Sequence, residues 1–187
     1  MAPTTATRMT AAEFLELPDD GKRYELIEGE VVLNASPVTR HQRISRVLLV
    51  QLDRYFEERG GGEVFDAPYD VVLDEENVVV PDLVVVTSDR AAIINPRNVH
   101  GAPSIVIEVL SDSTRRKDEI GKRKLYERAG VAEYWIVDPA IDAVKIYRRD
   151  GDRFGGAIAI DAETGGTLTS PLLPGFALDV RRIFPAE

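Results

Sequence analysis

Two stretches decide how this chain is read. They are Val78-Val79-Val80-Pro81-Asp82-Leu83-Val84-Val85-Val86 and Ile105-Val106-Ile107-Glu108-Val109-Leu110. Runs so rich in branched apolar residues read as strands buried on both faces. An ionised carboxylate in such a place is costly unless a metal or a cation compensates it. Two of them, on successive strands, point to a site that gathers negative charge. Metal-dependent phosphodiester chemistry is the commonest use of that arrangement. Pro81 predicts a strand that is interrupted, or at a sheet edge, just before Asp82. If the two strands are neighbours, Asp82 and Glu108 reach one cation, and the carbonyl of Val109 supplies a third oxygen.

Composition narrows the metal and the setting. The 187 residues include 44% hydrophobic and 29% charged ones, as expected of one domain spanning 1–187 with a sizeable core. There is no cysteine, which excludes thiolate sites, and the two histidines, His41 and His100, argue against a multi-histidine zinc site. An oxygen-held ion, magnesium, manganese or calcium, is what remains. No apolar run approaches a bilayer span and residues 1–10 lack a signal-peptide core, so the expectation is a cytoplasmic protein without a membrane partner. The formal net charge of −9 argues against a protein coated in nucleic acid. The charge is uneven, however. Six basic residues (Arg115, Arg116, Lys117, Lys122, Arg123, Lys124) lie close together, and Arg40, Arg43 and Arg46 form a second group near His41. Both groups also read as ordinary solvated helix faces.

Element order places these residues. Thr10 with Glu13 has the capping-box pattern and predicts a short helix to about Leu17. Tyr24–Ile27 and Glu30–Leu33 read as a hairpin around Glu28-Gly29. A long helix is predicted over about 39–58, with Ile44, Val47, Leu48, Gln51, Leu52 and Tyr55 facing inward, His41 at the head of that stripe, and Gly60-Gly61-Gly62 ending it. Strands over 64–73, 78–86 and 104–110 follow, then a helix over about 116–129 stopped by Gly130. Strands over 133–137 and 143–148 come next. The tail, 154–180, reads as short strands or a hairpin with Pro171 and Pro174 marking a loop. The result is an α/β fold with a mixed sheet flanked by helices.

Asp118, Lys122 and Tyr126 are spaced i, i+4, i+8 and share one face of the second long helix. A lysine there can point back at the carboxylate pair, positioning or deprotonating a water or neutralising a developing phosphorane charge. The same spacing also fits a plain ion pair, Glu108 with Lys122, locking helix to sheet. Taken alone, Glu25 alternates with apolar neighbours and reads as an exposed strand residue. His41 reads as a partly buried helix-start histidine and Trp135 as core.

In order along the chain stand Tyr24-Glu25-Leu26-Ile27-Glu28-Gly29-Glu30, His41, Pro81-Asp82, Ile107-Glu108-Val109-Leu110-Ser111, Asp118, Lys122, Tyr126, Gly130-Val131 and Glu133-Tyr134-Trp135-Ile136-Val137-Asp138. Over roughly 10–184 this series resembles the Uma-type restriction endonucleases of the PD-(D/E)XK nuclease superfamily. The resemblance implies a restriction-endonuclease-like fold, with extra N- and C-terminal β-hairpins, that cleaves DNA with Mg²⁺ or Mn²⁺. Asp82 and Glu108 take the metal-binding places, joined by the Val109 carbonyl. The superfamily pattern has a lysine two residues after the glutamate, where this chain has Leu110. Lys122 matches the place on the neighbouring helix to which such a lysine is relocated. Glu25 then falls among the site residues as a further metal or water ligand, and His41 as a substrate or acid/base contact. Arg115, Arg116 and Lys117 are expected to hold the phosphate backbone, with salt-dependent affinity. A homodimer would bring two sites to the two strands, although the sequence itself shows no interface. Leu110 and the acidic charge keep two rivals open: a non-cleaving nucleic-acid-binding module, and a metal-dependent hydrolase of small phosphate esters.

Overall fold

Pro81 splits the apolar stretch 78–86 and sends its halves to different sheets. Proline has no N–H to give to a ladder, so pairing ends before it and resumes after Asp82. The computed structural model that shows this describes residues 8–111 and 115–184. The stretch 64–73, expected as one strand, is likewise divided, around Pro68.

Helix α1 (Ala11–Leu15) opens with the expected capping box: Glu13 N–H donates to Thr10, whose own N–H donates to Glu13. Its Ala11 and Phe14 pack under Leu26, Val72 and Val78. Thr10→Ala should therefore cost about 1 kcal/mol, read from the shift of a denaturant midpoint. Strands β1 (Arg23–Ile27) and β2 (Glu30–Asn34) form the predicted hairpin, with Glu28 and Gly29 at positive φ in its turn. Helix α2 (Thr39–Arg59) buries His41, Ile44, Leu48, Leu52 and Phe56 and ends at Gly60. Phe56 extends the inward stripe past Tyr55, which is half-buried together with Val47 and Gln51.

Then come β3 (Gly62–Asp66), β4 (Val71–Asp74), β5 (Asn77–Val79), β6 (Leu83–Thr87), β7 (Val99–His100) and β8 (Ile105–Val109). A π-helical turn, Lys117–Lys122, runs into helix α3 (Arg123–Ala129), which Gly130 closes in the left-handed conformation. The chain continues through β9 (Glu133–Asp138), β10 (Ala143–Asp150), β11 (Arg153–Phe154) and β12 (Ile158–Asp161) to a C-terminal hairpin. That hairpin pairs β13 (Thr167–Ser170) with β14 (Leu173–Asp179). Pro171 lies in its turn, but Pro174 lies within β14, a strand of a two-stranded sheet where one unpaired edge is available.

Two main sheets result. One has the order β2-β1-β5-β4-β7; the other runs β11-β10-β9-β8-β6-β3, with β12 also on β10. In the larger sheet β6, β8 and β9 are buried along their whole length. Period-2 alternation explains how. Leu83, Val85, Ile105, Ile107, Trp135 and Val137 face α2 and the C-terminal hairpin. Val84, Val86, Val106, Tyr134 and Ile136 face Leu125 and Tyr126 of α3. The pairing Leu83↔Ile107 brings the ends of β6 and β8 together, and β8 runs parallel to β9 with the helix between them. Trp135 is core, as expected, and its indole N–H donates to Glu133 at 2.7 Å. No helix of the described residues is long and apolar enough to cross a membrane.

Candidate active site

The register of β6 against β8 places Asp82 beside the end of β8. There Asp82 Oδ2 accepts the Val109 N–H at 2.7 Å. His41, projecting from the first turn of α2, sets Nε2 3.1 Å from the same oxygen. Val109 already supplies one donor, so the histidine contact is attractive when Nε2 carries a proton. His41 Nδ1 is buried with no partner among the described residues.

Glu108 shares the face of Val106 and meets the helical segment. Its Oε1 accepts from Lys122 Nζ at 2.7 Å and from the Tyr126 hydroxyl at 2.8 Å. Asp118 stands 3.7 Å from the same ammonium. The i, i+4, i+8 face is thus real, and all three of its members are buried. Burial pushes the Glu108 carboxyl up; Lys122 opposes that, but Asp118, Asp82 and Glu25 add to it, and the group is raised to about 8. Burial pulls Lys122 down, yet Glu108, Glu25 and Asp118 outweigh it and hold the ammonium well above its ordinary value.

Glu25 is the largest departure from a residue-by-residue reading. It is not an exposed strand position: its relative exposure is 0%. Oε1 accepts the Val80 N–H at 3.0 Å and lies 2.8 Å from Lys122 Nζ; Oε2 takes Lys117 Nζ at 2.5 Å. The strand alternation failed here because β1 is covered on both faces at this point. Pro81 breaks the ladder, and the Val80 N–H turns to a side chain instead. Burial pushes this carboxyl up, but Lys122 and Lys117 outweigh burial and hold it at about 2.

The expected phosphate-holding cluster is only partly free. Arg115 makes a two-pronged bond to the buried Asp138, at 2.5 and 2.8 Å. That bond holds Asp138 below the usual carboxylate range, against the effect of burial. Lys117 binds Glu25 and also Asn34 Oδ1, at 3.0 Å. Arg116 is exposed, as are Arg43 and Arg46, while Arg40 lies 2.6 Å from Asp142. The Arg115–Asp138 and Lys117–Asn34 contacts carried no signal of their own. They depend on where two strand ends meet the helix, although the five-residue spacing of Lys117 and Lys122 was visible.

A cavity of about 470 Å³ has Asp82, Glu108, Val109, Lys117, Lys122 and His41 in its wall. Asp82 and Glu108 each spend one oxygen on protein donors. Oδ1 of the first and Oε2 of the second have no protein donor among the described residues. Two such oxygens suit a hard cation such as magnesium, which commonly takes one or two carboxylates and completes its shell with water and substrate phosphate. No group of three or more acidic, histidine or cysteine residues suited to a metal is found among the described residues. An ion here would take few ligands from the protein.

The sheet order, the flanking helices and the two added hairpins define a restriction-endonuclease-like α/β fold. A putative nuclease of the DUF820 group from Anabaena variabilis shares it, with a TM-score of 0.79 at 20% identity over 94% of this chain and 97% of that one. The family Uma2, described as putative restriction endonuclease, matches residues 11–181, and the chain belongs to it. An uncharacterized protein of Synechocystis is 27% identical over 161 residues, covering 82% of this chain and 88% of that one.

Proposed function

We propose that this protein is an endonuclease that hydrolyses DNA phosphodiester bonds with the help of Mg²⁺ or Mn²⁺. The observation that carries the reading is the meeting of Asp82, Glu108 and Lys122 at one cavity wall. Among the described residues the two carboxylates each keep an oxygen without a protein donor, and the ammonium is bonded to one of them. Membership of a family described as putative restriction endonuclease supports the reaction class.

Asp82, Glu108 and the Val109 carbonyl would hold the cation. Bound there, it supplies Lewis-acid polarisation of the scissile phosphate and a more acidic water. The protein's own groups do the rest. The Val109 N–H and His41 fix the Asp82 carboxylate so that its second oxygen has one orientation. Tyr126 does the same for Glu108. Lys122, kept charged, stands where it can orient the attacking water and offset charge on the phosphorane. Glu25 does not fit a metal-ligand role, because both of its oxygens are taken by donors.

The test is cleavage of single- and double-stranded oligonucleotides with magnesium, with manganese and with chelator. Metal-dependent product is the expected result. Turnover of small phosphate esters with intact oligonucleotides would instead select the small-ester hydrolase, a reading favoured by the −9 net charge.

A further inference from the structure

We propose that Lys117 is a second functional cation of this site, gripping a phosphate of the nucleic-acid strand while Lys122 serves the reacting one; this rests on the nuclease reading above. Two lysines five residues apart both reach Glu25. In a regular α-helix residues five apart point about 140° away from each other, and one carboxylate would not meet both. Here the turn is π-helical: the Arg123 N–H bonds back to the Asp118 carbonyl, five residues earlier. That geometry stacks residues five apart on one side. Such turns are rare and concentrate at functional sites.

The two ammonium groups are then treated differently. Lys122 has a side chain 5% exposed and lies within 4 Å of three carboxylates, Glu25, Glu108 and Asp118. Lys117 is 25% exposed and lines the cavity. An ammonium has three protons to donate. Lys117 gives one to Glu25 Oε2 and one to Asn34 Oδ1, and the third has no acceptor among the described residues.

A structural tie between hairpin and helix is already made by Lys122 through Glu25. That tie does not need a second lysine, yet Lys117 reaches the other oxygen of the same buried carboxylate. What the pair does achieve is to fix a charged, hydrated donor at the cavity wall, anchored by both strands of the N-terminal hairpin. A phosphodiester oxygen is the ligand that suits a point-charge donor so placed. Glu25 becomes a positioning residue, acting through Lys117 and Lys122. The hairpin becomes part of the substrate site.

Single-turnover cleavage of an oligonucleotide over a range of protein concentrations separates half-saturation from plateau rate. Lys117→Met should raise half-saturation about tenfold and reduce the slope of log affinity against log salt by about one. The plateau should stay within about threefold of wild type, and Lys117→Arg should recover most of the loss. Should Lys117→Met fold poorly by its melting curve, Asn34→Ala removes one anchor and no charge. It should move half-saturation the same way by a smaller factor. If wild type cuts while Lys117→Met, or in its place Asn34→Ala, leaves half-saturation and salt slope unchanged, the proposal fails and the nuclease reading stands. A plateau lowered about a hundredfold at unchanged half-saturation overturns it too, by moving Lys117 into the chemistry. If wild type neither binds nor cuts any oligonucleotide with either metal, the nuclease reading fails and this proposal with it.

Discussion

Asp82→Asn and Glu108→Gln should each lower metal-supported cleavage by about 10²–10³-fold, the loss typical of removing one preorganised electrostatic group. Both substitutions keep shape and hydrogen-bonding capacity. The Val109 N–H and His41 still have an acceptor at position 82, and Lys122 and Tyr126 still have one at position 108. What is lost is the charge on the two oxygens that face no protein donor among the described residues. Glu108→Gln also separates catalysis from stability. Burial and the neighbouring Asp118, Asp82 and Glu25 raise Glu108 to about 8 despite Lys122, against an ordinary value of 4.5. In the metal-free protein the folded state then keeps a proton that the unfolded chain has already released. Stability present below pH 4.5 is lost as pH rises through about 8. Melting temperatures of chelated wild type should fall across that window, and those of Glu108→Gln should fall less. Cleavage that survives in both variants would remove Asp82 and Glu108 from the chemistry.

Much of this site was legible because charge is conspicuous against an apolar background. Asp82 and Glu108 stand out from valine and isoleucine, and Pro81 marks the break that puts Asp82 at a strand junction rather than inside one. The α2 stripe and the N-terminal hairpin follow from periodicity and turn residues, which are local signals. Glu25 and Lys117 were less legible for a common reason. Their partners lie 92 residues apart in sequence, and whether a carboxylate on a five-residue strand is exposed depends on what later packs over it. The π turn was equally hidden. Apart from Gly121, a weak helix former, Lys117–Lys122 reads like any α-helix, and its geometry matches the two lysines that share one carboxylate. The basic cluster was legible only as charge. Residues 115–117 read as a phosphate surface, and the bond of Arg115 to Asp138 was not visible in that count.

Glu25→Gln is expected to destabilise the protein by about 3 kcal/mol, the lower end of what breaking a buried ion pair costs. The amide can still accept the Val80 N–H and a Lys122 proton at its oxygen. Its nitrogen, however, then faces the Lys117 ammonium, donor against donor, where Oε2 had accepted. The pH dependence gives an independent measure of the same interaction. Although burial alone would raise it, Lys122 and Lys117 hold the Glu25 carboxyl at about 2, below its ordinary 4.5. A depressed carboxyl contributes stability above pH 4.5 that is lost as pH falls toward 2, and the difference corresponds to about 3 kcal/mol. Wild type should therefore lose stability steeply over that acid window, and Glu25→Gln should begin lower and lose less. Denaturant midpoints measured at neutral pH and near pH 3 read both effects in one series. Parallel curves would mean that the two lysines do not hold the Glu25 carboxyl down, and that this tie between hairpin and helix adds nothing to stability.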